Sequence, residues 1–231
     1  MKILEAEMVG KRYFKKQVLA GINLVIEQGK IVGLLGPNGS GKTTFLKILA
    51  GLIRPTSGSV KICKNEIGYK TKELVAYLPD SEFLYGWMKI KDAKEVYIRF
   101  YKDFNIVRFD ELLDFMKLTS DMVVKSLSKG MKEKLALALT LARDAKLIIL
   151  DEPLNGVDPV AREQILVAII KGFSFESSML LTSHLINEVE SILDEVYFLK
   201  EGKVELCGNA ETLRNEKKMT LDEIYREVFA C

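Results

Sequence analysis

The chain has 231 residues, of which 48% are hydrophobic and 29% charged, and its formal net charge is +2 at pH 7. This is the composition of an ordinary soluble globular protein, long enough for one large domain with a sizeable core. No apolar run approaches the roughly 18 residues of a membrane helix, so we expect no direct membrane span. The 34 basic residues are interspersed with 32 acidic ones, which argues against a nucleic-acid partner.

The first residues, Met1 to Glu7, contain neither a long apolar stretch nor a small-residue cleavage site, so we expect the protein in the cytoplasm. The cysteines, Cys63, Cys207 and Cys231, are odd in number and widely spaced, which is typical of reduced thiols. The densest basic patch, Lys11 to Lys16, is interpreted as a solvated turn rather than a nucleic-acid hook.

Two alternating segments, Ile3 to Val9 and Val18 to Ile26, predict β-strands near the start of the chain. A third apolar segment, Ile31 to Leu35, is followed by a glycine-rich loop and then by a helical pattern from Thr43 to Ala50. Strand, glycine loop and helix in this order are the context that a phosphate-binding loop requires.

The loop fits the pattern G-x-x-x-x-G-K-[ST]. Its residues, with the next residue of the helix, are Gly36, Pro37, Asn38, Gly39, Ser40, Gly41, Lys42, Thr43 and Thr44. Glycines let backbone N–H groups turn inward around phosphates, which would lie at the positive end of the helix dipole. In this pattern the lysine reaches the β and γ phosphates, and the threonine hydroxyl holds Mg²⁺. The loop therefore predicts a nucleoside triphosphate site.

A turn at Arg54 to Ser59 is followed by two predicted strands, Val60 to Cys63 and Leu74 to Leu78, and we expect a small β-sheet beside the loop. From about Ser81 to Lys125 the period becomes helical, with Asp92 and Glu95 as a capping box. The apolar positions of this pattern are Ala93, Val96, Tyr97, Phe100, Tyr101 and Phe104. A helical insertion therefore interrupts the α/β core.

Alternating helices and strands follow the insertion. The predicted helices are Lys132 to Ala142 and Val160 to Lys171, the predicted strands are Leu147 to Leu150 and Ser178 to Thr182, and a hairpin joins Glu195 to Lys200 with Lys203 to Cys207. Apolar strands that alternate with helices predict a mostly parallel sheet covered on both faces.

Polar residues stand at the ends of two of these strands. Asp151 and Glu152 follow the first of them, and the carboxyl ends of strands are where ligands bind in open α/β sheets. We expect Asp151 to support Mg²⁺ through a water and Glu152 to orient the attacking water. His184, the only histidine, follows the second strand, where a lone histidine is by itself more often structural than catalytic.

Two further helix starts are visible. Ser128 stands at an N-cap position with Gly130 in the first turn, which fits either a capped core helix or an anion site. Thr220 to Glu223 predicts the start of a C-terminal amphipathic helix over residues 220–231, which we expect to pack on its own domain, with a partner contact as the alternative. Its apolar face consists of Leu221, Ile224, Tyr225, Val228 and Phe229.

Together these segments resemble the nucleotide-binding subunit of an ATP-binding cassette (ABC) transporter, to about Arg214. The segment Leu127 to Met131 resembles the LSGGQ signature of that family, and Leu154 to Asp158 resembles the loop that follows its acidic pair. The resemblance implies an α/β fold over residues 1–219: a P-loop NTPase core with a mostly parallel sheet, an N-terminal antiparallel β subdomain and an α-helical subdomain inserted at about 81–145.

The resemblance also implies roles for single residues. His184 matches the switch histidine that hydrogen-bonds the γ phosphate, and Tyr13 matches the aromatic residue that stacks on adenine, with Phe14 as the other candidate. Asp80, at the end of Tyr77-Leu78-Pro79-Asp80, replaces a glutamine, which implies a metal or coupling role. Lys129 and Met131 replace a glycine and a glutamine of the signature.

The implied cofactors are ATP and Mg²⁺. The implied partners are a second ABC ATPase subunit, identical or related, and separate transmembrane permease subunits. In a head-to-tail dimer, Ser128 and Gly130 would meet the γ phosphate bound by the second ATPase subunit, with Asp158 at the centre of the contact. The permease subunits would hold the protein on the inner face of the membrane. The aromatic cluster Phe83 to Met88 either binds them or instead forms the core of the insertion. The motif variants resemble those of exporter-type members.

Three alternatives remain open. A soluble mechanical ATPase of the same superfamily would keep the motifs, although such proteins usually carry two cassettes or long coiled coils. A nucleotide-binding regulatory module would bind without turnover. A kinase or GTPase would explain the segment 36–43 only, and the sequence contains no N-K-x-D guanine-reading motif.

Overall fold

A computed structural model describes residues 1–229; Ala230 and Cys231, and with them the prediction for that cysteine, lie outside the described residues. The strands are β1 (Lys2–Tyr13), β2 (Lys16–Glu27), β3 (Ile31–Leu35), β4 (Ser57–Ile62), β5 (Asn65–Glu66), β6 (Val75–Leu78), β7 (Leu147–Leu150), β8 (Ser178–Ser183), β9 (Glu195–Lys200) and β10 (Lys203–Asn209). The helices are α1 (Lys42–Leu49), α2 (Tyr69–Leu74), α3 (Ile90–Phe100), α4 (Ile106–Phe115), α5 (Lys129–Leu141), α6 (Pro159–Gly172), α7 (Ile186–Val189), α8 (Ala210–Lys217) and α9 (Leu221–Phe229).

Two sheets form the frame of the described part of the chain. The smaller is antiparallel, in the order β2-β1-β4-β5, and the larger has the order β10-β9-β3-β8-β7-β6. All neighbours in the larger sheet are parallel except the β9–β10 hairpin. The predicted α/β fold, with an antiparallel β part and a mostly parallel sheet, is confirmed.

The larger sheet brings three strand ends to one edge. Leu35 at the end of β3 pairs with Ser183 at the end of β8, and Leu150 at the end of β7 pairs with Leu181. Every residue of β3 and β7 is buried, because helices or the smaller sheet cover both faces. The phosphate loop and the segments that begin at Asp151 and His184 therefore emerge side by side.

The prediction for the strand at 74–78 was wrong in its first residue and in its sheet. Leu74 ends α2, and β6 pairs in parallel with β7 in the larger sheet instead of joining the smaller one. Three of its four residues are buried, as expected for a strand covered on both faces. Sequence periodicity does not distinguish between two possible sheets, because both require apolar strands.

The predicted register of the inserted helix also needs correction. Helix α3 begins at Ile90, so Asp92 is its third residue and accepts a hydrogen bond from the Lys89 N–H at 2.8 Å; the proposed box with Glu95 is not formed. The helix ends at Phe100, whose side chain is 78% exposed. Because the chain turns there, the predicted helical face stops one turn early.

The aromatic residues of this region form a separate cluster. The ring of Tyr97 lies 5.1 Å from that of Tyr101 and 5.6 Å from that of Phe104, and Phe104 lies 5.5 Å from Phe109 of α4. These contacts join α3 to α4 through the turn after α3. The insertion therefore has its own packed aromatic centre, continuous with the core of the larger sheet.

Arg143 connects the helical insertion to the larger sheet. Its guanidinium group makes a bidentate ion pair with Asp103, through Nε at 3.1 Å and Nη2 at 2.9 Å, and also donates to the carbonyl oxygens of Val75 and Glu73 at 2.7 and 3.0 Å. The Arg143 group lies 4.0 Å from the ring centroid of Tyr101. Only 4% of Arg143 is exposed, so its bonds are largely shielded from water.

We expect Arg143→Ala to lower the free energy of unfolding by about 3 kcal/mol, because it leaves a carboxylate and two carbonyl groups without their shared donor. Chemical denaturation measures this change. Arg108→Ala is the matched control: Arg108 also pairs with an aspartate, Asp144 at 2.8 Å, but is more exposed, and its loss should cost below about 1 kcal/mol. Equal losses in both variants would contradict the special role of Arg143.

The C-terminal helix begins with the predicted capping box, since Thr220 N–H donates to Glu223 and the Glu223 N–H donates to Thr220 Oγ1. Leu221 and Ile224 are fully buried in the core of the larger sheet, and the predicted apolar face packs there. Leu221 N–H also donates to Glu190 Oε2 at 2.8 Å, which ties α9 to the segment after α7.

Within residues 1–229, no helix combines the length and apolar composition that crossing a membrane requires. Cys63 and Cys207 are free thiols.

Candidate nucleotide-binding site

The predicted phosphate loop connects β3 to α1. Gly39 and Gly41 have φ angles of 82° and 109°, which side chains other than glycine rarely adopt. A Cβ atom on Gly41 would also collide with Leu19 and the Val18 carbonyl, and one on Gly36 with the Leu199 carbonyl. The loop is therefore pressed between the smaller sheet and the β9–β10 hairpin, in a shape that requires its glycines.

Helix α1 begins without a side-chain cap, because Gly41 occupies its N-cap position. The first N–H groups of a helix lack partners within the helix, so this end has donors available for an anion. In contrast, Ser128 Oγ caps α5 by accepting from Met131 N–H, and Asp158 caps α6 by accepting from Ala161 N–H. Of these three helix starts, α1 is the one whose first N–H groups are not capped by a side chain, as binding of a phosphate requires.

Lys42 is buried and points into the loop. Its Nζ donates to the carbonyl oxygens of Gly36 at 2.7 Å and Pro37 at 3.3 Å, and lies 3.2 Å from Glu152 Oε1. Ser40 Oγ is buried without a hydrogen-bond partner among the described residues, whereas the buried Glu152 Oε1 has the Lys42 ammonium group as its ion-pair partner. Buried polar atoms normally have partners, so the Ser40 hydroxyl fits a site that receives a polar ligand.

Asp151 lies at the base of the site and is almost completely buried. Its Oδ1 accepts from Thr43 Oγ1 at 3.3 Å and from Thr182 Oγ1 at 2.9 Å, and its Oδ2 accepts from the Tyr77 hydroxyl at 3.4 Å. Burial raises the pKa of Asp151 above its ordinary value, whereas the bonds from Thr182 and Thr43 act in the opposite direction. Three hydroxyl groups therefore hold this carboxylate beside the loop.

Two of these hydroxyl groups were not predicted. Thr182 follows the three apolar residues Met179 to Leu181 of β8, and Tyr77 lies in the apolar strand β6. A polar side chain near the end of a buried strand was the available signal. Whether such a side chain contacts Asp151 depends on which strands are neighbours. Strand β7, which precedes Asp151, lies between β6 and β8.

Glu152 lies between Lys42 and His184. Its Oε2 is 2.7 Å from His184 Nδ1 and accepts from the His184 N–H at 3.2 Å, and its own N–H donates to Thr182 Oγ1 at 2.9 Å. Its φ of 51° is unusual for a residue with a side chain, and such backbone strain is concentrated at functional sites. Only 10% of the Glu152 side chain is exposed, against 37% for His184. The carboxylate is therefore held between a buried lysine and a more exposed histidine.

These groups face one open cleft. Its lining comprises Lys16, Gln17, Val18, Asn38, Gly39, Gly41, Lys42, Thr43, Thr44, Asp80, Glu152, Asn155, His184 and Glu201. The cleft thus unites the loop, Glu152, His184 and Asp80. The sequence did not predict that Lys16, Gln17, Asn155 and Glu201 also belong to it. Lys16 and Gln17 begin β2 and Glu201 lies in the β9–β10 turn, where no motif marks them, and Asn155 was recognised only as part of the loop 154–158.

Tyr13 and Phe14 lie beside the cleft. Tyr13 ends β1 and pairs across the turn with Lys16, which lines the cleft, whereas the Tyr13 ring lies under Lys11 Nζ at 5.0 Å. Phe14 is fully exposed in the turn between the strands. Both rings are accessible to a base, and neither is part of the cleft lining described above.

Ser128, Gly130 and Asp158 form a second patch, apart from that cleft. The Cα of Gly130 faces Val157, Asp158 and Ala161, so the starts of α5 and α6 pack against each other. The Ser128 oxygen accepts the cap bond to Met131 N–H, while its hydroxyl hydrogen has no acceptor among the described residues. The structure therefore groups these three residues together, and none of them lines the cleft of the phosphate loop.

Asp80 lines the cleft, two residues after the end of β6. Its Oδ1 accepts a hydrogen bond from Asn155 Nδ2 at 3.3 Å. Among the described residues, no group of three or more His, Cys, Asp or Glu is arranged to hold a metal ion. The oxygen donors Thr43, Asp151 and Asp80 nevertheless suit Mg²⁺, which is usually bound by one or two carboxylates, waters and substrate phosphates.

A groove beyond Asp80 lies in the insertion, next to the segment that follows β6. Glu82, Phe83 and Leu84 line it on one side and Lys132 and Glu133 on the other. Burial raises the pKa of Glu133 to about 7, while Lys132 forms an ion pair with Glu82 at 2.9 Å.

The neighbouring rings of Tyr85 and Trp87 stack with their centroids 5.9 Å apart and are 65% and 72% exposed. Two large aromatic side chains that stack on the exposed surface are unusual. Such residues are enriched at protein interfaces. The cluster Phe83 to Met88 is thus partly exposed and only partly core.

Comparison with known proteins places these features in a family. The family model described as "ABC transporter" matches residues 19–155. The chain is 34% identical over 228 residues to the "Lantibiotic transport ATP-binding protein SrtF" of Streptococcus pyogenes, covering 97% of this chain and 99% of the relative. It is 35% identical over 212 residues to the "Uncharacterized ABC transporter ATP-binding protein YdbJ" of Bacillus subtilis, covering 87% and 68%.

The fold has close counterparts among solved structures. A structure described as "ATP binding subunit of ABC transporter" superposes with a TM-score of 0.87 at 26% identity, covering 98% of this chain and 99% of the other. The match extends over both sheets and the insertion, and is not confined to the phosphate loop.

Proposed function

Because the chain belongs to the ABC transporter family as an ATP-binding subunit, we propose that it couples ATP hydrolysis in a head-to-tail dimer to transport by separate membrane subunits. The protein is an ATPase of this family. The observation that most supports the proposed chemistry is the position of Glu152, held between Lys42 and His184 at the mouth of the phosphate loop.

The site residues have distinct roles in the proposed mechanism. Lys42 and the free N–H groups of α1 bind the phosphates and neutralise the charge that develops on them. Glu152 accepts a proton from the attacking water and aligns it with the γ phosphate, and His184 holds that carboxylate and hydrogen-bonds the phosphate. Tyr13 stacks on the adenine, which such contacts stabilise by about 1 to 3 kcal/mol.

Thr43 and Asp151 would hold Mg²⁺, with Asp80 on the same side of the cleft. When bound, the ion neutralises phosphate charge. The chain's own contribution is to fix Asp151 through Thr182 and Tyr77, so that its carboxylate keeps one orientation.

The dimer explains the second patch. Ser128 and Gly130 are not among the residues that line their own cleft, yet Ser128 retains a hydroxyl hydrogen and the start of α5 is positive. In the proposed head-to-tail dimer, this patch binds the γ phosphate held by a second subunit, identical or related, and Asp158 lies at the contact. Each complete site then requires two subunits.

The membrane coupling rests on the cluster Phe83 to Met88. Its stacked rings are exposed beside the groove, and the segment begins a few residues after Asp80 in the nucleotide cleft. We infer that a cytoplasmic part of the permease binds here, which places the protein on the inner face of the membrane. The relative named a lantibiotic transport protein supports a transport role, and the signature variant supports an exporter type.

We expect Trp87→Ala to weaken binding to the membrane subunit by roughly thirtyfold, because an aromatic anchor at an interface contributes about 2 kcal/mol or more. Pull-down from detergent-solubilised membranes measures this loss. Tyr69→Ala is the matched control, since Tyr69 is also an exposed aromatic residue but lies on α2, away from the groove. Unchanged recovery of the membrane subunit with Trp87→Ala would contradict the contact at this cluster. If the unaltered chain hydrolyses ATP but recovers no membrane subunit, an ATPase that works without a membrane partner would be favoured.

A further inference from the structure

The helix α9 packs on two elements that lead to the nucleotide site, α7 and β9. Helix α7 begins two residues after His184, and β9 pairs with β3, the strand that ends at the phosphate loop. The buried residues of α9, Leu221 and Ile224, lie in the same core as Ile186 and Val189 of α7. The last helix of the described residues therefore supports the site from behind.

The segment after His184 is tied to the helices that follow β10. Glu190 Oε2 accepts from the Leu221 N–H at 2.8 Å, and the Glu190 carbonyl accepts from Arg214 Nη1 at 3.2 Å. Leu221 is the first residue of α9, so its N–H has no partner within the helix, and a carboxylate at this positive end is favourable. The position of the segment 184–190 therefore depends on where α9 lies.

Three aromatic side chains join α9 to strand β9. The ring centroid of Phe198 lies 6.2 Å from that of Tyr225 and 6.3 Å from that of Phe229, and the latter two centroids are 4.3 Å apart. Phe198 is fully buried and pairs with Leu35, the residue before the phosphate loop. Because aromatic pairs prefer specific geometries, these contacts fix the ring of Tyr225 near the end of the sheet that carries the loop.

Tyr225 is close enough to Glu152 for their charges to interact. Burial raises the pKa of Tyr225 above its ordinary value, and the Glu152 carboxylate raises it further, by more than Asp222 of the same helix does. The phenol therefore stays protonated near neutral pH and can donate a hydrogen bond. An O–H donor near a carboxylate favours the ionised form of that carboxylate, directly or through one bridging water.

We propose that α9 clamps the segment 184–190, so that His184 meets Glu152 in one fixed arrangement. The positioning residues of this clamp are Glu190, which fixes the segment after the histidine, and Tyr225, whose hydroxyl group stabilises the carboxylate. This inference rests on the proposed function and deepens it, because it gives α9 a part in hydrolysis in addition to its packing. Neither positioning residue lines the cleft, so both should affect kcat more than the KM for ATP.

Tyr225→Phe tests the hydroxyl group, because it keeps the ring and its aromatic contacts. It should lower kcat for ATP hydrolysis by about fivefold at saturating Mg²⁺, with the KM for ATP changed by less than about twofold and the midpoint of thermal unfolding unchanged. Tyr197→Phe is the matched control. Tyr197 is also a partly buried tyrosine, on β9, but its hydroxyl donates to the Val25 carbonyl at 3.1 Å and does not line the cleft, so its loss should leave kcat unchanged.

Glu190→Ala tests the tie to the segment 184–190. It should lower kcat by about fivefold, whereas Glu190→Gln keeps an oxygen that accepts from the Leu221 N–H and should retain at least about half of the activity. In a His184→Ala background the same Glu190→Ala change should cost less than about twofold, because residues that act through one another are not additive. Single-turnover phosphate release measures the low activities of this background.

The same factor of loss for Glu190→Ala with and without His184 would overturn the clamp, since the effect would then not pass through the histidine. An equal loss in Glu190→Gln would overturn it as well, and an unchanged kcat in Tyr225→Phe, or one no lower than in the Tyr197→Phe control, would overturn the role of Tyr225. If the unaltered chain released no phosphate from ATP, the proposed function itself would fail. If it hydrolyses ATP and neither positioning variant lowers kcat, only the clamp fails.

Discussion

Replacing Glu152 by glutamine is expected to lower kcat for ATP hydrolysis by about two to three orders of magnitude while ATP still binds. The amide keeps the size of the side chain but cannot accept a proton from the attacking water, and general-base catalysis contributes factors of this size. The bonds that shape the site remain possible, because an amide oxygen still accepts from the His184 N–H. Phosphate release at saturating ATP measures the change.

The same variant tests the proposed dimer. If hydrolysis opens the dimer, a subunit that binds ATP but does not cleave it should accumulate as a dimer in size-exclusion chromatography with ATP, and should return to monomer with ADP. Glu163→Gln is the matched control, since Glu163 is an exposed glutamate on α6 outside the cleft, and it should behave as the unaltered protein. A Glu152→Gln variant that binds ATP and stays monomeric would contradict the two-subunit site, and one that hydrolyses ATP normally would contradict the role of Glu152.

Lys42→Ala is expected to lower hydrolysis by at least about a hundredfold and to weaken ATP binding by about tenfold or more. The ammonium group donates to two loop carbonyls and faces Glu152, so its loss removes the positive charge inside the cradle and leaves the nearby carboxylate uncompensated. Removal of a single charge-stabilising donor from an active site commonly costs factors of this size. Binding of a fluorescent ATP analogue and phosphate release separate the two effects.

Lys47→Ala supplies the control for charge alone. Lys47 lies on the same helix, in its last turn and exposed, so its removal changes the net charge equally without touching the loop. Its effect on stability should stay within about 1 kcal/mol and its hydrolysis should be unchanged. If the two lysine variants lost ATP binding to the same extent, general electrostatic attraction and not the cradle would account for the result.

Local patterns in the sequence were sufficient for the elements around the site. The strand–loop–helix unit at 31–50 and the acidic residues after Leu150 follow from apolar runs, glycines and strand ends within short windows. Ser128 and Thr220 were correctly placed as helix starts because caps depend on residues three positions apart. Where a local pattern had two solutions, as for the sheet that contains β6 or the end of α3, the sequence predicted the wrong one.

By itself, the sequence determined that this protein has a phosphate loop, an acidic pair, a histidine and a signature-like segment in one order, and hence an ABC ATPase. These features are local, and their identity depends on side-chain chemistry at fixed spacing. Only the tertiary structure decided which distant residues meet: Thr182 with Asp151, 31 positions apart, and Asn155 with Asp80, 75 positions apart. Such contacts depend on strand order and on the packing of the insertion, which are set by burial of the whole core rather than by any segment of the chain.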